Sequence, residues 1–546
     1  MKKPADVRVA ALFLLWVIIA DYCGTVLGLA ARVPLGWWQF PLAILGAGGL
    51  IYLRFKNEWR RGVLAGICII LGAVALSALI PDYSYDGTLY HNEISIRLAE
   101  GWNPIYDPLP DTSLWTRHYA KGMELLAATI MGAFGSVETG KGINIILAAS
   151  ALLYLKTALD EWLPRRGNPL KWCIVLFSAC NPQALAELTV PYNDLGTYYS
   201  LMWGILLLLL WNRRRSRFLL CSLLGITVVA ISIKFTCAFH MTLLWLAAII
   251  WTAFHRQWRR AAVLSLWFLA AAVAGFVLLG WHPYVTNLIH AGNPLYPLMG
   301  SGQVDIMSYN TPDIYEGHNR FYNFLLSNVP RLYLIGYDTR IDGFGPLFLP
   351  VLLLSIFIMA CDRRNVPGVA WYIVIVTLAS CFVFEQTWWP RYNMQLWLVP
   401  VTAIVTAARS RLRERLNKEC VYAIMAMGFM AVPLVILFQV KKTVTLIEIQ
   451  RIYIDAYKGK RVKGLWQGSN TSGGFVYMRR MMQEKGMEVE PVTEEEFDSP
   501  YIYYPTGIQA PNFVGLELDE STYRRMMSVK HIPHITEAPK EYAVIR

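Results

Sequence analysis

Apolar runs of bilayer length recur along this chain from residue 9 to residue 440, and no other feature restricts its fold as tightly. A hydrocarbon core of ~30 Å takes about 20 apolar residues per helical pass, and every backbone N–H and C=O inside it must be satisfied within the segment, which favours helices. Fourteen runs can be read: 9–30, 37–53, 62–80, 119–135, 141–158, 171–187, 196–211, 217–233, 236–254, 261–281, 345–360, 368–384, 392–408 and 421–440. The 546 residues are 55% hydrophobic and 16% charged, a balance that excludes a soluble domain of this size. The expected fold is an all-α polytopic membrane protein.

Charge then orients the helices. Basic residues gather in short loops: Lys2, Lys3 and Arg8; Arg54 to Arg61; Arg213 to Arg217; Arg256, Arg259 and Arg260; Arg363 and Arg364; Arg409 to Lys418. The net charge of +12 therefore reflects orientation and not nucleic-acid binding, and these loops are expected in the cytoplasm. Three runs lie between the external loop ending near Arg117 and the external segment 187–195, yet only an even number can cross. One segment within 119–187 must be short, re-entrant or parallel to the surface, so about thirteen spans are expected. The first run is long enough for an uncleaved anchor. The nine cysteines lie in or beside apolar runs, with neither a disulfide framework nor zinc spacing.

Residues 1–440 thus read as a transmembrane domain with external loops 81–118 and 281–345. Residues 441–546 turn polar and come after an odd number of spans, so they are expected outside. GLWQGSNTSGGFVYMRRMMQEKG reads as strand, glycine-rich turn and helix, and PYIYYP as another strand, which predicts a small α/β domain. The turn lacks a P-loop lysine.

Ionisable groups at a membrane rim are costly unless paired or used, so those on the external side are candidate site residues. They are Asp86, with Tyr90, His91 and Glu93 in the following surface helix; His118 and Lys121; Tyr192 and Asp194 at a helix start; Lys234 at a helix end; Arg391 and Tyr392 after Trp388 and Trp389; and Arg331, Asp338, Arg340 and Asp342 in the long loop. Separated carboxylates with Lys and Arg on one face suit a base together with a clamp for an anion such as phosphate. Each also has a plainer reading: Arg and Lys snorkel, tryptophans form interfacial belts, and Asp caps helices. Metal ligands remain unassigned; His118, His282 and His290 lack zinc spacing, and a divalent metal stays an open cofactor.

The string from Asp86 through Tyr90 and Glu93 to Gly101 and Trp102 resembles the first-loop motif of GT-C membrane glycosyltransferases, which include aminoarabinose transferases and protein mannosyltransferases. Asp194 in VPYNDLGTYY is similar to the family's second carboxylate and Lys234 to its helix-end lysine, over residues 80–240. Ala120-Lys121-Gly122 departs from the family pattern. The resemblance implies an inverting transfer of sugar from a polyprenyl-phosphate donor to a lipid or glycan acceptor, at the periplasmic or exterior face of a bacterial inner (plasma) membrane. Asp86 is implied as general base, Asp194 as its orienting partner, and Lys234 and Arg391 as phosphate contacts. Two competing readings are an O-antigen polymerase or ligase using loop arginines and histidines, and a lipid-linked sugar transporter or flippase. The latter calls for midplane charges in paired halves, which the sequence lacks.

Overall fold

The computed structural model describes residues 5–300, 302–304, 310–329, 335–341, 343–409, 414–465, 473–505, 514–529 and 543–545. Lys2, Lys3, Arg331, Asp342, Arg411, Arg413 and most of the glycine-rich turn, 468–472, lie outside these.

Helices follow in order, most of them on the apolar runs: α1 (Ala5–Ala30), α2 (Gln39–Phe55), α3 (Trp59–Leu79), α4 (Asn92–Ala99), α5 (Leu114–His118), α6 (Gly122–Phe134), α7 (Gly142–Trp162), α8 (Asn168–Ala179), α9 (Pro182–Ala186), α10 (Asp194–Arg214), α11 (Arg217–Ile233), α12 (Phe235–Phe254) and α13 (Trp258–Ala272). After them come α14 (Thr286–Ala291), α15 (Arg320–Ser327), α16 (Phe348–Cys361), α17 (Gly368–Cys381), α18 (Leu398–Arg409), α19 (Glu414–Phe429) and α20 (Ala431–Tyr457). Among the described residues, seven helical stretches are long and apolar enough to cross a membrane: Asp6–Ala30, Gln39–Leu79, Val137–Trp162, Asp194–Arg214, Phe235–Phe254, Trp258–Leu278 and Asn417–Tyr457. Gln39–Leu79 contains both α2 and α3, and Asn417–Tyr457 both α19 and α20.

Small residues let these helices approach closely. Gly62 and Gly66, one turn apart on α3, face Val9 and Phe13 of α1 so tightly that a Cβ on either would overlap those side chains. The basic loops collect at one end of the bundle. Arg8, Arg54, Arg214 and Ser216 surround one small cavity there, and Arg213, Pro367 and Arg409 surround another.

The segment 119–187 departs from three simple passes. Helix α6 is 13 residues long, or about 20 Å. Its start packs on the backbone of Ser232 and Ile233, where α11 ends. Beyond its left-handed cap at Gly135, Ser136 donates to Glu484 of the C-terminal domain, and Phe134 meets Phe40 at the start of α2. Both ends of α6 therefore lie at the end of the bundle opposite the basic loops. The run 171–187 also breaks: α8 stops at Ala179, and Asn181 caps the short α9, with Pro182 in its first turn.

The C-terminal domain has the predicted strand, helix and later strand as β1 (Arg461–Leu465), α21 (Gly473–Glu484) and β3 (Tyr501–Tyr503), and adds β2 (Glu488–Val492) between the last two, then β4 (Gly515–Leu518) and α22 (Glu520–Met527). The strands lie in the order β2-β1-β4-β3; β1 and β2 are parallel across α21, and the other pairs are antiparallel. β5 (Ala543–Ile545) pairs outside β3. Residue 441, where the sequence turns polar, lies within α20, so the same helix runs from the bundle into this domain. Helix α21 packs on α4 and the turn before it; the Tyr477 hydroxyl donates to Glu138 Oε1 (2.8 Å) and to the carbonyl of Asp82 (3.1 Å).

Candidate active site

The loop after α3 is wound tightly to present Asp86. Asp82 accepts from Ser84 N–H (3.0 Å), Ser84 Oγ (2.7 Å) and Asn92 Nδ2 (2.9 Å). Gly87 is squeezed between Asp82, Ser84 and Pro191, where a Cβ would overlap all three. Asp86 N–H donates to the Tyr192 hydroxyl at 3.2 Å. On the far side of the site, Asn393 Nδ2 donates to the carbonyls of Gln386, Thr387 and Trp389, folding the 386–390 turn that carries Arg391.

Arg391 gathers three carboxylates from three separate segments. Its Nη2 donates to Asp86 Oδ2 at 2.7 Å and its Nη1 to Asp338 Oδ1 at 3.1 Å, while Nε stands 3.4 Å from Asp194 Oδ2. Lys234, a single extended residue between α11 and α12, reaches the other Asp194 oxygen at 2.5 Å. Arg340 donates to Asp338 at 3.1 Å. Three cations thus face three carboxylates. A fourth acid, Glu187, accepts Leu195 N–H at 2.9 Å and caps α10; burial, and next the charge of Asp194, push its carboxyl well above the usual range. For Asp86, burial alone would raise the carboxyl, but Arg391, His91 and Lys234 outweigh it and leave it below the ordinary value. Asp86 is therefore an anion at neutral pH.

A cavity of about 1420 Å³ opens beside this cluster. Asp86, Tyr90, Arg340, Arg391 and Tyr392 lie on its wall, joined by Asp338, Trp115, Tyr119 and Trp389. A second wall is mostly apolar: Phe235, Ala238, Phe239 and Thr242 along one face of α12, joined by Phe276, Leu298 and Phe384, whose ring packs on Phe239 at 5.4 Å. Asp194, Lys234 and Tyr192 are buried behind Arg391 and do not line the cavity, so Lys234 acts on it through Asp194. Arg391 is sandwiched among aromatic faces, 4.8 Å from the Trp389 ring and 4.9 Å from that of Tyr192.

The remaining candidates stand apart. His91 Nδ1 lies 2.6 Å from Glu124 Oε1, which also accepts from Asn193 Nδ2 at 2.9 Å, and its ring sits against Tyr90 and Tyr192. Glu93 does not line the cavity; it accepts from Arg97 (2.7 Å), Thr112 and Thr116 (both 2.9 Å) and ties the loop to α4. His118 meets Asn287 at 2.9 Å, and Lys121 donates to the Tyr119 carbonyl at 2.9 Å over the Trp102 ring. Burial pushes the Lys121 ammonium down to about 7. Among the described residues no three His, Cys, Asp or Glu side chains group as metal ligands; the three aspartates that do converge share the Arg391 guanidinium.

Four contributors are hard to rank in the sequence, although Asp338 is among its candidates. Asp338 stands in a long loop with only the i+2 Arg340 as a signal. Glu187 is masked by the end of an apolar run. Trp388 and Trp389 suggest an interfacial belt, yet they stack at 5.1 Å with Tyr315 beyond, buried in protein.

Against known proteins, the chain matches no family model and no curated protein.

Proposed function

We propose that the protein is an inverting glycosyltransferase that moves a sugar from a polyprenyl-phosphate donor to a hydroxyl of a lipid or glycan acceptor. One observation carries this reading: a single cavity joins an Asp–Arg cluster to an apolar wall along α12. An amphiphilic substrate with an anionic head and a hydrocarbon tail fits such a cavity, whereas a soluble sugar nucleotide would leave the apolar wall unused. The acceptor oxygen attacks the anomeric carbon as the bond from that carbon to the lipid phosphate breaks. The phosphate leaves with the electron pair, and the hydroxyl proton passes to Asp86, a contribution of about 10²–10⁴ in rate. Arg391 and Asp194 hold Asp86 in place. Arg340, whose guanidinium is the more accessible of the two on the wall, meets the leaving phosphate.

Topology supports the same reading. The reading takes the basic loops as cytoplasmic and counts thirteen passes (α1, α2, α3, α7, α8, α10, α11, α12, α13, α16, α17, α18 and α19 continued by α20), with α6 as the segment that returns and the cavity and the C-terminal domain outside. A polymerase or ligase built on loop histidines is less well supported, because no histidine is among the described residues lining the cavity. A transporter is less well supported too, because the charge cluster sits at one end of the bundle.

The test is incubation of the purified protein with a panel of radiolabelled polyprenyl-phosphate sugars and an extract of envelope lipids and glycans. Release of label from one donor, lost in Asp86→Asn, supports the proposal. Unchanged transfer by Asp86→Asn points to the polymerase or ligase instead, and no release from any donor overturns the glycosyltransferase reading.

A further inference from the structure

The basic end of the bundle holds a second cavity, of about 290 Å³, with no chemistry of its own. It is a slot between α7, α10, α12, α17 and α18. The residues of α18 that line it run from Leu398 to Arg409, a rise of about 16 Å, roughly half a hydrocarbon core and so the depth of one leaflet. Its walls are mostly Leu, Ile, Val, Met, Ala and Trp side chains, with Tyr372 and the neutral hydroxyls of Thr252, Thr402 and Thr406 among them, and no acidic residue. The mouth is different. Asn212, Arg213 and Arg409 stand there, both arginines exposed and neither with a carboxylate partner among the described residues, although the adjacent Arg214 is paired with Glu161.

An apolar slot one leaflet deep, capped by two unpaired guanidinium groups, matches a single class of ligand. We propose that it binds an anionic phospholipid, with one acyl chain lying along α18 and the headgroup phosphate held by Arg213 and Arg409. A zwitterionic lipid offers the same chain but a headgroup whose cation opposes the arginines. A detergent fills the slot without using them. The bound lipid would fasten α17 and α18, which lead back to Arg391, to α10 and α12, which carry Asp194 and adjoin Lys234. The inference does not depend on the proposed reaction. Paired basic residues between helices at this membrane face are a recurrent means of holding anionic headgroups.

The experiment is native mass spectrometry of the delipidated full-length protein titrated with dioleoyl-phosphatidylglycerol or dioleoyl-phosphatidylcholine. The expected result is one retained phosphatidylglycerol, at about 10- to 30-fold lower concentration than phosphatidylcholine, from about a tenfold or smaller gain for each arginine near the surface. Arg213→Gln/Arg409→Gln should abolish the preference while leaving binding of the chain. Ala370→Phe, which fills the slot, should release both lipids. Equal retention of the two lipids by the native protein, or an undiminished preference in the double arginine variant, would overturn the proposal. Both arginines are exposed, so that variant stays informative even if Ala370→Phe fails to fold.

Discussion

Arg391→Met tests whether the charge cluster is organised as the distances imply. The substitution keeps an unbranched stem, two atoms shorter, and removes the cation shared by Asp86, Asp194 and Asp338. Counting three broken pairs would overstate the loss. Asp194, 4% exposed, keeps Lys234 at 2.5 Å, whereas Asp86 and Asp338, 17% and 21% exposed, can draw water from the cavity. The effect should therefore equal about one uncompensated buried charge, roughly 3–5 kcal/mol, and not three times that. Chemical unfolding in detergent micelles measures it, and Arg391→Met/Asp86→Asn should recover about 1–3 kcal/mol as coupling. The pH dependence has a definite sign. Asp86 has a depressed carboxyl in the folded protein, so its stabilising share is present above the unfolded value of about 3.9 and is lost as pH falls through the folded value. Without Arg391, burial is less strongly opposed and the Asp86 carboxyl rises, so the acid limb of the transfer rate should move to higher pH. An Arg391→Met protein as stable as the native one, to within about 0.5 kcal/mol, with an unmoved acid limb would refute this account of the cluster.

Further predictions concern the surroundings of the site. Lys121, about 7 when folded and about 10.4 when unfolded, binds more protons in the unfolded chain between those values, so native stability should climb from pH 7 towards 10; Lys121→Met should flatten that climb and be the more stable protein at pH 7.5, and an unchanged slope counts against the burial argument. Tyr477→Phe removes the bonds to Glu138 and Asp82 and should weaken docking of the C-terminal domain by roughly 1.5–3 kcal/mol, read as faster proteolytic release of residues beyond α20. In a cysteine-free background, single cysteines at Asp107 and Ser136 should label from the same side of the membrane; labelling from opposite sides would mean that α6 crosses. Phe239→Glu, on the apolar wall, should raise KM for a long-chain donor at least tenfold and spare a short-chain analogue, whereas equal effects on both would remove the lipid-tail role from that wall.

The sequence exposes those parts of the site where cost betrays a residue. Asp86, Asp194, Lys234 and Arg391 each interrupt or border an apolar run, where an ionisable group is expensive, and the fold brings all four together. Asp338 and Glu187 carry no such signal, the first because its loop has no periodicity to interrupt, the second because it closes a run that looks like an unbroken helix. Glu93 borders the same motif as Asp86 but spends its charge on Arg97 and two threonines, and sequence spacing does not separate those two outcomes. Length also misleads. The run 119–135 has the composition of a span, but Gly135 ends the helix after about 20 Å, and Glu484 holds Ser136 and Val137 just beyond it. Polarity places a boundary at residue 441, whereas Leu446, Ile449 and Tyr453 continue the buried face of α20 beyond it.

The pairing of Asp86 with Arg391 across 305 positions has a consequence for how the protein is made. At a synthesis rate of about 5–20 residues per second, the aspartate is threaded into place some 15–60 s before its arginine leaves the ribosome. Lys234 emerges within seconds of Asp194, so the second carboxylate is neutralised early and the first must wait in water. Newborn chains stalled before residue 391 would present an open, acidic mouth to the translocation machinery, and assembly of the cluster is one of the last events in the life of the nascent polypeptide.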